Sequence, residues 1–180
     1  MLDDLDRRLS VAGGPVAKIA AELVGRIRAL TRRANELERE ITLIVRRLAP
    51  SLLELPGCGV LSAAKIVAET AGVDRFRSNA AYARWNGTAP IPVWTGSERF
   101  RLSRGGNRQV NAAVHRIAIT QWRGVGPGRE YMLRRIERGD TKTSAIRALR
   151  RHLSDEVFRR LRLDHQRHAS QPTQPAAIAA

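Results

Sequence analysis

Cysteine is almost absent from this chain. Cys58 stands alone among 180 residues, which excludes an intramolecular disulfide and a cysteine-based zinc site, and fits an intracellular protein. Lysine is nearly missing as well: Lys18, Lys65 and Lys142 face 29 arginines. The guanidinium fork suits bidentate phosphate contact better than an ammonium does, but a GC-rich genome produces the same skew, so the preference alone decides little. No run reaches the roughly 18 apolar residues of a membrane span. The opening MLDDLDRRLS is too acidic and too broken for a signal peptide. The expectation is a cytoplasmic chain with no membrane partner.

What is plentiful is positive charge, and its location matters more than its total. The net charge is +15, with an apolar content of 43% that argues against general disorder. Residues 1–74 carry 11 Lys+Arg against 10 Asp+Glu, whereas residues 75–180 carry 21 against 7. The basic surface therefore belongs to the second part, and a polyanionic partner is expected there.

Gly13, Gly14 and Pro15 precede a long helical pattern. Val16, Ala20, Leu23, Ile27, Leu30, Ala34, Leu37, Ile41, Ile44 and Leu48 alternate spacings of four and three, a heptad seam sustained for more than four repeats. Arg26, Arg33, Glu38, Glu40 and Arg47 flank it, where charges pair across a coiled coil. The competing reading is an amphipathic helix lying on its own domain, for which a two-in-seven stripe is thin. A coiled-coil dimerisation helix over 16–49 is expected, after an N-terminal remnant at 1–15.

Pro50 ends that pattern. The segment SLLELPGCGVLSAAKIVAET reads as a helix-hairpin-helix: an apolar helix end, a tight turn from Leu55 to Gly59, and a small-residue helix with Ala63, Ala64 and Ala68. Gly57 and Gly59 would bring backbone N–H groups to the start of the second helix, a site for one phosphate with Lys65 a turn away. The same motif also serves as a plain packing unit. Cys58 reads as a small buried residue.

Ser78 can cap a short helix, Asn79 to Trp85, with Tyr82 and Trp85 in the core. The stretch WNGTAPIPVWTGSERFRLSRGGNRQVN follows, and its prolines and glycines predict a structured Arg/Gly-rich loop. Arg99, Arg101, Arg104 and Arg108 surround the hydroxyls Thr95, Ser97 and Ser103. Guanidinium forks beside a hydroxyl suggest phosphodiester chemistry or tight phosphate binding; a solvated basic loop has the same residue types. Asn107 opens a helix through Trp122 with Val110, Val114, Ile117, Ala118 and Gln121 on one side, and His115 reads as structural. GVGPG turns the chain at Gly124, and two arginine-rich helices follow, the second with Ile146, Leu149, Leu153, Val157 and Leu161 at helical spacing. From residue 164 the composition is that of a disordered tail, with His165 and His168 too few for a metal tract.

Taken in order, LPGCGVLSAAKIVAE, GTAPIP, TG and RLSRGGNRQVN resemble the C-terminal half of the DEDD-type insertion-sequence transposases, the recombinases guided by a bridge RNA. The likeness runs from about Leu52 to Leu163, and the heptad helix is similar to the coiled coil that family places between its two domains. The resemblance implies DNA transposition by a serine-type mechanism, with an N-terminal acidic domain holding a divalent metal such as magnesium. No Asp/Glu cluster in this chain replaces those carboxylates, so no cofactor is expected within it. The family's nucleophilic serine falls on Thr95, followed by Gly96, with Ser97 as the alternate.

The reading is an all-α chain: a long coiled-coil helix, then a compact helical domain over 50–163 with the hairpin motif and the basic loop. The expected role is the DNA-binding C-terminal portion of a transposase near the bacterial nucleoid, with DNA, a structured guide RNA, and either a homodimer or a mixed dimer with a full-length transposase as partners. Whether it acts as an enzyme stays open. The alternatives are a non-catalytic nucleic-acid-binding dimer, a relic or a competitor of the complete transposase, and a repair-type helix-hairpin-helix module.

Overall fold

The computed structural model describes the chain except residues 1–3, 5, 6, 10, 12, 95–97, 103, 104 and 171–180. It forms two compact units, Met1–Leu43 and Ile44–Ala180.

The long heptad pattern is a continuous helix, α1, Gly14–Leu48. Its seam is not covered by the unit that carries it: Val16 is 79% exposed and Leu30 is 68% exposed, and Leu23, Ile27 and Leu37 are exposed as well. Ala17 and Val24, off the seam, are the buried positions here. Thr31 and Thr42 return their hydroxyl protons to the carbonyls of Ile27 and Glu38, at 2.8 Å and 2.6 Å. Arg33, a flanking charge, pairs within the helix with Glu36 and Glu40 at 3.2 Å and 3.8 Å.

The last turn of α1, from Ile44, belongs to the second unit. The reason is burial: Val45 is 3% and Ala49 is 1% exposed. A short helix, α2, Pro50–Leu53, then starts with proline at its first positions, where a missing N–H leaves no bond unmade. The turn at Leu55 to Gly59 leads into α3, Val60–Thr70, and Ser78 caps α4, Asn79–Trp85, by accepting from the Ala81 N–H at 3.2 Å. Helices α5, Arg108–Trp122, α6, Gly128–Glu137, and α7, Lys142–Ala169, complete the unit.

Helix α7 is the spine, packed against α2, α4, α5 and α6, while α3 packs on α5. Leu52, Ile66, Tyr82, Val110, Val114, Ile117, Met132 and Leu149 are the large side chains that fill the core. Phe76, Tyr82, Trp85 and Phe158 form an aromatic cluster with ring centroids 5.0–5.5 Å apart. Tyr82 shares a hydrogen bond of 3.2 Å with Thr70, and burial pushes its phenol up to about 12.

Two expectations are corrected. The stretch after Trp85 holds more than a loop: β1, Pro90–Trp94, pairs antiparallel with β2, Glu98–Leu102, with Ile91 opposite Arg101 and Val93 opposite Arg99. Pro90 and Pro92 are two residues apart, so both nitrogens fall on one side of β1. In a two-stranded sheet one side of each strand has no partner, and proline is tolerated there. The architecture remains all-α with this single hairpin among the described residues.

The second correction is the boundary at residue 164. Helix α7 continues through Ala169 because its end is gripped from outside. The Asp164 carboxylate, 2% exposed, accepts from the Ser51 N–H at 3.2 Å and 3.3 Å. Arg160 donates to the Ser51 carbonyl, Arg167 donates to the Ser51 hydroxyl at 3.0 Å, and His168 bonds the Leu48 carbonyl at 3.1 Å. The orphan backbone groups where α1 stops and α2 starts are thus satisfied by a segment whose composition reads as tail.

Candidate nucleic-acid interface

The two glycines of the Leu55–Gly59 turn have different tasks. Gly57 sits at φ +80°, and a Cβ there would lie 3.2 Å from the Ile117 carbonyl oxygen and from Thr120 Cβ, so it lets the turn lie against α5. Gly59 has nothing within 4 Å of a Cβ. It is the N-cap of α3, in extended conformation and without a side-chain cap. The first backbone bond runs from the Ala63 N–H to the Gly59 carbonyl at 3.0 Å, which leaves the donors of Val60, Leu61 and Ser62 at an open helix N-terminus. Lys65, half-buried, lies one turn along α3. Cys58 is buried and burial raises its thiol to about 11, so it is inert packing.

The hairpin springs from a polar clasp. Gly87 and Gly106 carry φ of +72° and +97°, and their backbones touch: a Cβ on Gly106 would lie 2.8 Å from the Gly87 nitrogen, and one on Gly87 would lie 2.7 Å from the Gly105 carbonyl oxygen. The Asn107 N–H donates to the Trp85 carbonyl at 2.7 Å. Buried Asn86 accepts from the Thr88 hydroxyl at 2.7 Å and donates to Ser154 Oγ at 2.8 Å. Asn111 donates to the Asn86 carbonyl at 2.8 Å and accepts from Arg150. Asn107 caps α5 through the N–H groups of Gln109 and Val110 and donates to Glu69 Oε2 at 2.7 Å. Helices α3, α5 and α7 thereby fix both feet of the hairpin.

Of the residues expected at this site, Arg108 is exposed in the first turn of α5. Arg99 and Arg101 are two residues apart on β2. Thr95, Ser97 and Arg104 lie outside the described residues. Asn86, Thr88, Asn111, Arg150 and Ser154 were not anticipated; the one sequence signal for them is an asparagine, Asn111, beside the mainly apolar face of α5. Burial, with Arg150 next, lowers the pKa of His115. The divalent metal implied by the resemblance has no fitting ligands here, because no group of three or more His, Cys, Asp or Glu comes together among the described residues. No described helix is long and apolar enough to cross a membrane.

The second unit thus carries the clasped hairpin and the uncapped N-terminus of α3. The chain is related to the insertion-element transposases: residues 49–132 match the family described as Transposase IS116/IS110/IS902. It is 32% identical over 133 residues to the uncharacterized 43.6 kDa protein of insertion element IS110 from Streptomyces coelicolor, covering 73% of this chain and 33% of that protein. It is 26% identical over 149 residues to the uncharacterized 44.8 kDa protein of insertion element IS116 from Streptomyces clavuligerus, covering 81% and 37%. The chain thus spans about a third of the length of these relatives.

Proposed function

We propose that this chain is the DNA-engaging C-terminal portion of an insertion-element transposase and that it works as a dimer. The observation that carries the reading is the clasped hairpin within the family-matched segment, on the part of the chain with 21 Lys+Arg against 7 Asp+Glu. Arg99, Arg101, Arg104 and Arg108 neutralise phosphates, and the α3 N-terminus at Gly59 takes one more in the manner of a helix-hairpin-helix. A structured guide RNA is a second polyanion for the same surface. The exposed seam of α1 pairs with the same seam of a second copy or of a full-length transposase.

Thr95 stands at the serine position of the resemblance, and its hydroxyl is the nucleophile in this reading, with Ser97 as the alternate. Its extra methyl hinders attack on phosphorus. The described residues assemble no carboxylate set, so catalysis needs acidic groups supplied by a partner polypeptide or another segment. Those two features favour a second reading, a non-catalytic binding dimer that competes with the complete transposase.

The test is a mixed dimer with a full-length relative whose own serine is disabled, scored for a covalent protein–DNA link. A link at Thr95 supports the shared-site enzyme, and a link at Ser97 moves the nucleophile by two residues. No link, even with Thr95→Ser, leaves the binding dimer.

A further inference from the structure

At the foot of the hairpin lies a cleft of about 470 Å3 between α6, α7 and the start of β1. Its walls include Tyr131 and Arg135 from α6 and Ser144, Arg147, Arg151 and His152 from α7. Asp155 also lines it, paired with Arg151, and Thr88 and Pro90 bring it beside the strand that leads to Thr95.

The lining has two chemistries. The rings of Tyr131 and His152 stack with centroids 5.6 Å apart and an interplanar angle of 11°, a preformed flat platform. Around it stand three guanidinium groups of differing freedom. Arg151 is held by Asp155, and Arg135 by Asp140. Arg147 is exposed and makes no ion pair among the described residues, so its fork is free for an anion. The volume lies within the roughly 300–1,000 Å3 range of clefts that enclose a small organic ligand, and a lone phosphate would leave most of it empty. An aromatic face beside a free guanidinium matches a base joined to its phosphate.

A second cleft, of about 580 Å3, shares His152 and Asp155 with the first and is lined further along α7 by Glu156, which holds Arg159, and by Arg162. Two clefts meeting at one exposed ring suit a chain that passes from one to the other better than a free nucleotide. A base inside a duplex has both faces covered by its neighbours, so it cannot use a stacking platform without leaving the helix. We infer that the Tyr131/His152 cleft binds an unpaired nucleotide of a single-stranded segment, base against the ring pair and phosphate on Arg147. The inference rests on the proposed nucleic-acid function and adds the state of the strand: unpaired beside the hairpin.

The experiment uses the full chain and two fluorescent strands of equal length and charge, one of about twelve thymidines and one made wholly of abasic sites, with a duplex as reference. The base-bearing strand should bind roughly five- to a hundredfold tighter than the abasic one. His152→Ala, at an exposed position, should remove most of that ratio while leaving the abasic affinity unchanged, and Arg147→Gln should weaken both strands. Thermal unfolding of each variant confirms that the fold persists, and Tyr131→Leu gives an independent loss of the platform. Equal affinity for the two strands overturns the inference while leaving phosphate binding intact, as does a ratio that survives both His152→Ala and Tyr131→Leu. No binding to any strand or to the duplex overturns the proposed function itself.

Discussion

The side-chain amide of Asn111 donates to the main-chain carbonyl of Asn86 at 2.8 Å, 25 residues away in sequence, and so ties α5 to the residue from which the hairpin departs. The same side chain accepts from Arg150 of α7. One asparagine therefore ties two helices to the foot of the hairpin.

Asn111→Ala removes both bonds and leaves the Asn86 carbonyl and the Arg150 guanidinium without that partner in a half-buried site. A loss of about 2–4 kcal/mol in unfolding free energy is expected, read from the urea midpoint at unchanged slope. A loss below about 0.5 kcal/mol would show that the clasp does not hold the hairpin.

The two glycines of the Leu55–Gly59 turn should separate stability from binding. Gly57→Ala forces a side chain into positive φ and against α5, and should cost about 1–3 kcal/mol. Gly59→Val meets open space at φ −77°. It should leave the unfolding free energy within about 1 kcal/mol of the parent and weaken DNA binding by covering the free donors of α3. Unchanged DNA affinity for Gly59→Val would make the turn a packing unit only.

How far the sequence led depends on the range of the interaction. Ser78 and Asn107 are legible as caps, Cys58 as buried and the α1 seam as a stripe, because each depends on neighbours within a turn or two. The hairpin was obscured by Pro90 and Pro92, whose effect depends on which side of the strand their nitrogens face. The clasp was invisible because Asn86 and Ser154 are 68 residues apart. The end of α7 was misread for the same reason: composition says nothing of Asp164 reaching Ser51.

Acid should weaken an ion-pair cluster within α7. Hydrogen bonds from Arg159, then Arg160, lower the pKa of Glu156 against an opposing effect of burial. Its folded pKa is depressed, so its contribution is present above the unfolded value of about 4.5 and is lost as pH falls through the folded one. The urea midpoint of Glu156→Gln should therefore fall less than that of the parent between pH 5 and the acid limit, both ends being approximate. Parallel curves would mean that Glu156 carries no such linkage.

The exposed seam predicts association. Sedimentation at tens of micromolar should give a dimer, and Leu30→Asp with Leu37→Asp should give monomers by burying charge at the interface. A monomeric parent protein would leave the seam without its proposed role.

The central claim is that the second unit engages DNA through its arginines and does so largely without reading sequence. The direct measurement is the affinity of the full chain for a random duplex across a salt series, repeated with Arg99, Arg101 and Arg108 replaced by Gln. Log K should fall linearly with log salt at a slope of about −0.9 per phosphate neutralised, and the triple variant should be shallower by about 2 to 3. An affinity indifferent to salt, or a slope unchanged by the three replacements, would contradict the account.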